Sequence, residues 1–222
     1  MSSYGQFCPV AKAMELLDER WTLLVIRELL AGSTHFNDLR RGNPKMSPAL
    51  LSKRLRTLER AGVVRRELHD GRSSYTLTPA GEELRPVVEG LGAWGIRWIG
   101  SLGEEDLDPH LLLWDIHRTI PLEVWPSGRT VLGFEFADVA PRIARWWLCV
   151  TDGDVDVCDA DPGFDLSATV TTRLRTMIRL WRGDLRWPGA LKEDLVSISG
   201  VAARDVPLWL GHMKLAAVER PA

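Results

Sequence analysis

The chain has 222 residues, of which 45 % are hydrophobic and 26 % are charged, and its net charge is −2. This composition is that of a folded globular chain with one or two domains, and it excludes a disordered one. No apolar run reaches the length of a membrane span, the first residues lack the pattern of a signal peptide, and three cysteines do not suggest a disulfide framework. We therefore expect a cytoplasmic protein.

The charge is divided unevenly along the chain. Residues 1–103 hold 15 Lys and Arg against 11 Asp and Glu, a net charge of +4, and residues 104–222 hold 13 against 19, a net charge of −6. Glycine, acidic residues and proline in SLGEEDLDP interrupt two helical patterns at this division, so we predict one domain over 1–103 and a second over 104–222. Eight basic and three acidic residues lie between Lys45 and Arg72. They indicate either a phosphate-binding surface or an ordinary solvated face.

The sequence of the N-terminal half predicts four helices and then a β-hairpin. The helices are Pro9–Leu17, Trp21–Leu30, a short segment capped by Thr34, and Pro48–Ala61 capped by Ser47. Two alternating strands follow, VVRREL and SYTLT, and the Asp70-Gly71 pair between them is a strong hairpin signal. This order predicts a winged helix-turn-helix fold. The alternative is an αα-hairpin followed by a β-hairpin in some other small domain.

The fourth helix has one apolar face and one polar, cationic face. Leu51, Leu55 and Leu58 lie within about 60° of one another around the helix. Small, polar and basic residues on the other side suit insertion into a major groove. We expect the cations of the helix to reach DNA, the small residues near its start to lie near base edges, and the wing tip to reach the minor groove or a phosphate. The residues predicted to bind DNA are Ser47, Ala49, Leu50, Ser52, Lys53, Arg54, Arg56, Arg72 and Ser73.

A further helix is predicted to begin at Pro79, with Thr78 as its N-cap. Its apolar stripe comprises Leu84, Val87, Val88, Leu91, Trp94 and Trp98. This stripe is longer than a domain of 100 residues needs for its own core. We expect it to pack either across a two-fold axis or against the C-terminal half, and the sequence does not separate the two.

Several short motifs mark the N-terminal half: Cys-Pro before the first helix, a tryptophan at the second, and then HFNDL, LSKRLRTLERAGVVRR and YTLTPAGEEL. With these motifs, the segment from Cys8 to about Gly95 resembles the HxlR family of bacterial winged-helix regulators. His35 departs from the pattern, because the family often has arginine there. The resemblance implies a homodimer on a pseudo-palindromic operator in double-stranded DNA, with the Ser47–Ala61 helix of each copy in the major groove. It also implies that the first helix and the helix from Pro79 build the dimer.

Cys8 stands directly before the first helix. The resemblance implies a redox or electrophile sensor here, since some relatives use a cysteine at this place. A thiol beside a helix N-terminus is activated by the helix dipole. The alternative is a small packed residue without reactivity.

The C-terminal half predicts strands followed by helices. After a helix at PHLLLWDIHRTI, the predicted strands are Leu122–Trp125, Thr130–Phe136, Trp146–Val150, Val155–Cys158 and Leu166–Thr171. A helix over TTRLRTMIRLWRGD, a strand over LVSISG and a final helix opening at Pro207 complete the pattern. Strands first and helices later indicate an α+β domain with an antiparallel sheet.

Seven of the ten tryptophans lie in this half, and each fits either a core or a cavity wall. Residues 155–211 read as a strand pair, a helix ending in tryptophan and RGD, a short helix, a strand and a closing helix, which resembles sterol-carrier-protein-type domains. The resemblance implies an apolar cavity under a sheet, and an apolar small molecule or lipid that shifts the dimer between two shapes. The side chains predicted to bind this molecule are Trp125, Phe134, Trp146, Met177, Trp181 and Trp209.

Catalytic and metal-binding patterns are not found in the sequence. It has no nucleophile motif, no phosphate-cradling glycine loop and no zinc spacing, and the aspartates at 152–161 lack the closing glutamate of a calcium loop. We therefore expect no enzyme, cofactor, metal or membrane partner. The predicted function is a dimeric DNA-binding regulator modulated by an apolar molecule. The alternative is a carrier of lipids or other apolar ligands whose N-terminal half mainly dimerises.

Overall fold

The computed structural model describes residues 3–220, and backbone packing divides the chain into one unit ending at Trp94 and another beginning at Gly95. This division falls inside a single helix, Arg85–Trp98. The domain boundary near residue 103 stays a prediction. No helix among the described residues combines the length and apolar character needed to cross a membrane.

The predicted helices and hairpin follow one another in the predicted order, and all but the end of the last helix lie in the N-terminal unit. Their bounds are α1 Pro9–Leu17, α2 Thr22–Leu30, α3 Phe36–Arg41, α4 Pro48–Arg60, β1 Val64–His69, β2 Arg72–Leu77, α5 Pro79–Glu82 and α6 Arg85–Trp98. The two strands pair antiparallel, and Asp70 and Gly71 between them have φ of 49° and 77°. A type I′ turn requires positive φ at both positions, and its twist matches that of the strands. The order of the helices and the hairpin that follows them confirm the winged helix-turn-helix fold.

The second and third helices each begin one or more residues later than predicted. Trp21 has a left-handed backbone with φ of 79° and precedes α2 as its cap. Thr34 does not cap α3, because its carbonyl accepts a hydrogen bond from the Tyr75 N–H at 2.7 Å and the next residue, His35, pairs with Ser74. This short strand-like segment ties the entry of α3 to the wing.

The single helix predicted from Pro79 is two helices. Thr78 caps the first of them, and its side chain accepts a hydrogen bond from the Gly81 N–H. The helical hydrogen bonds of α5 stop after Glu82, because Pro86 has no N–H to donate to the carbonyl of Glu82. The chain then continues as α6.

Up to residue 220, the C-terminal unit contains a five-stranded sheet and four α-helices that lie wholly within it. The bounds are α7 Pro109–His117, β3 Arg129–Phe136, β4 Arg145–Thr151, β5 Asp154–Cys158, β6 Ala168–Thr172, α8 Leu174–Trp181, α9 Trp187–Lys192, β7 Val196–Ser199 and α10 Val206–Leu210. One predicted element is wrong, and the final helix predicted to open at Pro207 is a short one. The predicted strand at 122–125 is a 3₁₀ turn over Leu122–Val124, and the last helix stops before Gly211, whose φ of 59° is not helical.

The sheet has the strand order β5-β4-β3-β6-β7. Strands β3, β4 and β5 form an antiparallel meander, and β7 is antiparallel to β6. Strand β6 runs parallel to β3, with Leu132 paired to Ala168, so the prediction of an antiparallel sheet is wrong at this pair. After β5, residues 159–167 return the chain to the end of the sheet where β3 begins, and β6 therefore starts in the same direction as β3.

Candidate nucleic-acid interface

Helix α4 presents a cationic face on the side away from the core. Leu51, Leu55 and Leu58 are at most 1 % exposed and fix the helix in the unit. Lys53 and Arg56 are exposed, and within residues 3–220 their side chains form no ion pair. Their charges are therefore free to meet a phosphate backbone.

The start of α4 is held by its own cap. The Ser47 Oγ accepts a hydrogen bond from the Leu50 N–H at 3.3 Å, and Pro48 occupies the first helical position. Ser47 and Ala49 are exposed, and Ser52 is half-buried. Leu50 is also half-buried and packs against the core of the unit, so only part of its side chain is open to a ligand.

Arg54 does not belong to the exposed face, contrary to the sequence prediction. Its side chain is only 6 % exposed. Its Nε donates to the carbonyl of Arg20 at 3.0 Å, and its Nη2 lies 2.5 Å from Glu19 Oε2. Because these bonds occupy the guanidinium inside the unit, Arg54 fastens α4 to the turn between α1 and α2 and is not available to DNA.

The wing places one predicted cation at its tip and uses one predicted hydroxyl internally. Arg72 is exposed directly after the Asp70-Gly71 turn. The Ser73 Oγ instead accepts two hydrogen bonds from Arg66, from Nε at 3.1 Å and from Nη2 at 2.9 Å. Ser73 therefore orients Arg66.

Arg66 is a residue of this surface that the sequence reasoning missed. It lines a cavity of about 240 Å³ between α4 and the wing, together with Ser52, Arg56, Tyr75 and others. The sequence does predict this position, since a two-residue turn at 70–71 fixes the register of the hairpin and pairs Arg66 with Tyr75. Two arginines thus face one groove.

Cys8 lies at the N-cap position of α1 and is half-exposed. Its carbonyl accepts a hydrogen bond from the Lys12 N–H at 3.0 Å, but its thiol makes no capping bond. The Lys12 ammonium pairs with Glu15 at 2.9 Å. The sensor role of Cys8 stays a prediction.

The six side chains predicted to line an apolar cavity are members of one packed core. All are between 0 and 9 % exposed and belong to a single hydrophobic cluster. The Trp125 and Trp209 rings stack at 5.0 Å, and the Trp125 Nε1 donates to the Trp209 carbonyl. The Trp181 Nε1 donates to Asp115 and the Trp146 Nε1 to the Ile143 carbonyl. All six side chains are therefore packed in the interior of this unit, and their role in binding a ligand stays a prediction.

A helix-turn-helix whose second helix has a free cationic face, followed by a wing with a basic tip, defines a winged-helix domain of the DNA-binding type. Residues 16–102 match the family model described as HxlR-like helix-turn-helix. The chain belongs to this family, and the match covers its N-terminal part.

Two curated relatives and one solved structure illustrate the similarity. The HTH-type transcriptional regulator YvaP of Bacillus subtilis is 36 % identical over 99 residues, which are 43 % of this chain and 92 % of YvaP. The HTH-type transcriptional regulator sll1512 of a Synechocystis species is 35 % identical over 98 residues, 43 % of this chain and 73 % of that protein. The reduced form of the transcriptional regulator YodB from B. subtilis is 30 % identical, with a TM-score of 0.38 over 43 % of this chain and 97 % of YodB.

Proposed function

We propose that this protein is a dimeric transcription regulator and that each copy inserts α4 into the major groove of an operator. One observation carries the proposal. Lys53 and Arg56 are exposed, have no ion pair within residues 3–220, and lie on the face of α4 that the core leaves open. A major groove about 12 Å wide admits an α-helix, and the relatives named above are HTH-type transcriptional regulators.

The contacts divide into those that position the protein and those that identify the sequence. Lys53, Arg56 and Arg72 are proposed to bind phosphates, which gives affinity without sequence information. Ser47 and Ala49, at the start of the helix, are small enough for α4 to approach the base edges closely. Ser52 is likewise proposed to lie near the base edges.

Dimerisation is part of the proposal because a two-fold dimer matches two half-sites about one helical turn apart. The support comes from α6, where Val87, Leu91 and Trp94 are 45–54 % exposed. At 100° per residue these three side chains lie within about 60° of one another. Contiguous apolar side chains on a surface mark an interaction site.

Modulation by an apolar molecule stays a prediction, as does the alternative role of a lipid carrier whose N-terminal half mainly dimerises. The packed core around Trp125 and Trp209 bears on both. An apolar ligand that entered between these two rings would have to separate them, and its binding free energy would have to exceed the loss of that packing.

The experiment is a fluorescence anisotropy titration on the duplex upstream of the protein's own gene, repeated at several salt concentrations. We expect Lys53→Ala and Arg56→Ala each to weaken binding and to reduce the slope of log affinity against log salt by about one. Lys192→Ala is the matched control, because Lys192 is an exposed cation in the C-terminal unit.

The outcomes separate the functions. If the slope does not change in either α4 variant, the phosphate assignment is wrong. If the wild-type protein does not bind at low salt but does bind a fluorescent fatty acid tightly, the carrier function replaces the regulator.

A further inference from the structure

Two cysteines are neighbours on one face of the C-terminal sheet. In the antiparallel pair of β4 and β5, Cys149 is opposite Asp156 and Trp147 is opposite Cys158. Cys149 and Cys158 are therefore diagonal neighbours with side chains on the same face. Because side chains alternate along a strand, this face is the one turned away from the buried Trp146, Leu148 and Val150. Both thiols are free and partly exposed.

Each thiol affects the ionisation of the other. Burial, and next the neighbouring Cys158, raise the pKa of Cys149 from 9.0 to about 11, while Arg129 acts weakly in the opposite direction. Burial also raises the pKa of Cys158, and Asp156 adds to this effect, whereas a hydrogen bond with Cys149 acts in the opposite direction. Both thiols are therefore protonated at neutral pH and are poor nucleophiles by themselves.

We propose that Cys149 and Cys158 form a dithiol site that captures a trivalent arsenical through two sulfur–arsenic bonds. Two S–H bonds and the As=O bond break, two As–S bonds form, and the two protons leave with the oxygen as water. Arsenic stays trivalent throughout, so the step needs no oxidant. It also starts from the protonated thiols that the sheet provides.

The geometry favours this chemistry over a disulfide or a metal site with several ligands. Diagonal residues on neighbouring strands have Cα atoms about 7–8 Å apart, whereas a disulfide prefers about 4.4–6.8 Å. An inserted arsenic atom lengthens the bridge. Within residues 3–220 no group of three or more His, Cys, Asp or Glu is placed to hold a metal ion, so a centre that needs only two sulfurs fits best.

Phenylarsine oxide is the probe for the test. One equivalent should add one phenylarsenic group to the wild-type protein and reduce the three free thiols to one. A monothiol such as 2-mercaptoethanol should not remove the label, whereas the dithiol 2,3-dimercaptopropanol should. No Lys or Arg lies between Arg145 and Arg173. Trypsin therefore releases both cysteines in one peptide, 146–173, which must carry the label.

The variants give matched controls. Cys149→Ser and Cys158→Ser should each lose the monothiol-resistant label, whereas Cys8→Ser should keep it. The proposal fails if the label on the wild-type protein is removed by the monothiol, if it maps to the peptide containing Cys8, or if either single variant in the sheet retains it. The peptide map of the wild-type protein decides the matter even where a variant does not fold.

Discussion

Lys53 and Arg54 are adjacent cations in opposite environments. The Lys53 ammonium is exposed, whereas the Arg54 guanidinium is buried against Glu19 and the carbonyl of Arg20. A helix turns 100° per residue, so neighbouring side chains point in different directions. The first residue is therefore suited to bind a partner, and the second to hold the helix in place.

We expect Arg54→Met and Lys53→Ala to affect different quantities. Arg54→Met removes hydrogen bonds to a charged group and to the carbonyl of Arg20, so the free energy of unfolding should fall by about 1.5–3 kcal/mol. Glu19 is 43 % exposed and water can solvate it, which keeps the loss within that range. Lys53→Ala should change stability by less than about 0.5 kcal/mol. Urea unfolding followed by circular dichroism measures both.

The same two variants have opposite signatures on DNA. Arg54→Met should leave the salt slope of binding unchanged, because a residue inside the unit releases no counterion, whereas Lys53→Ala should lower it. If both variants lower the slope of log affinity against log salt equally, Arg54 does contact a phosphate and the present assignment is wrong.

At the scale of elements, the first turn of α4 depends on one hydroxyl. Ser47 is the only side-chain cap described for this helix, through its bond to the Leu50 N–H. Ser47→Ala should cost about 1 kcal/mol of helix stability. Amide hydrogen exchange in the peptide covering residues 47–52 should then accelerate about fivefold.

Ser47→Asn is the control for this prediction, because asparagine caps a helix about as well as serine. Exchange in the Asn variant should match that of the wild-type protein. If the two variants exchange equally fast, the cap is not what holds the turn, and the contribution would have to come from Pro48 or from packing.

Elements with local signals were predictable from the sequence, and those that depend on distant contacts were not. Helices α1 and α4 follow from apolar spacing, Pro9 and Pro48 at their starts, and the Ser47 cap. The parallel pairing of β6 with β3 depends on where the 159–167 connection returns, and no local pattern encodes that.

The candidate site divides in the same way. The exposed cations of α4 and the tip residue Arg72 follow from helical period and turn chemistry, and both lie where the sequence placed them. The burial of Arg54 depends on Glu19, 35 residues earlier in the chain, and helical period alone does not reveal such a partner. Tryptophan composition likewise does not distinguish a cavity wall from a filled core, and the stacked Trp125 and Trp209 rings belong to a core.

At the scale of the whole molecule, the two units have different relationships to known proteins. The family model ends at residue 102, and the acidic residues 104–222 lie beyond it. The charge division fits the proposed function, since phosphates attract the first part and repel the second. The proposed dithiol site of Cys149 and Cys158 would give the C-terminal unit a binding function separate from that of the DNA-binding domain.

A duplex with two half-sites requires two associated copies of the chain. The proposed interface on α6 allows this association to be tested. Leu91→Glu places a charge in the exposed apolar stripe, where it should not disturb the fold of the protomer, because Leu91 is 52 % exposed. In a dimer the same charge would be buried without a partner, which is costly. Light scattering after size exclusion should therefore give twice 24.9 kDa for the wild-type chain and 24.9 kDa for the variant. Glu89→Ala, about 160° away around the helix, should remain dimeric. A monomeric wild-type protein would contradict the proposed dimer, and a Leu91→Glu variant that stays dimeric would place the interface elsewhere.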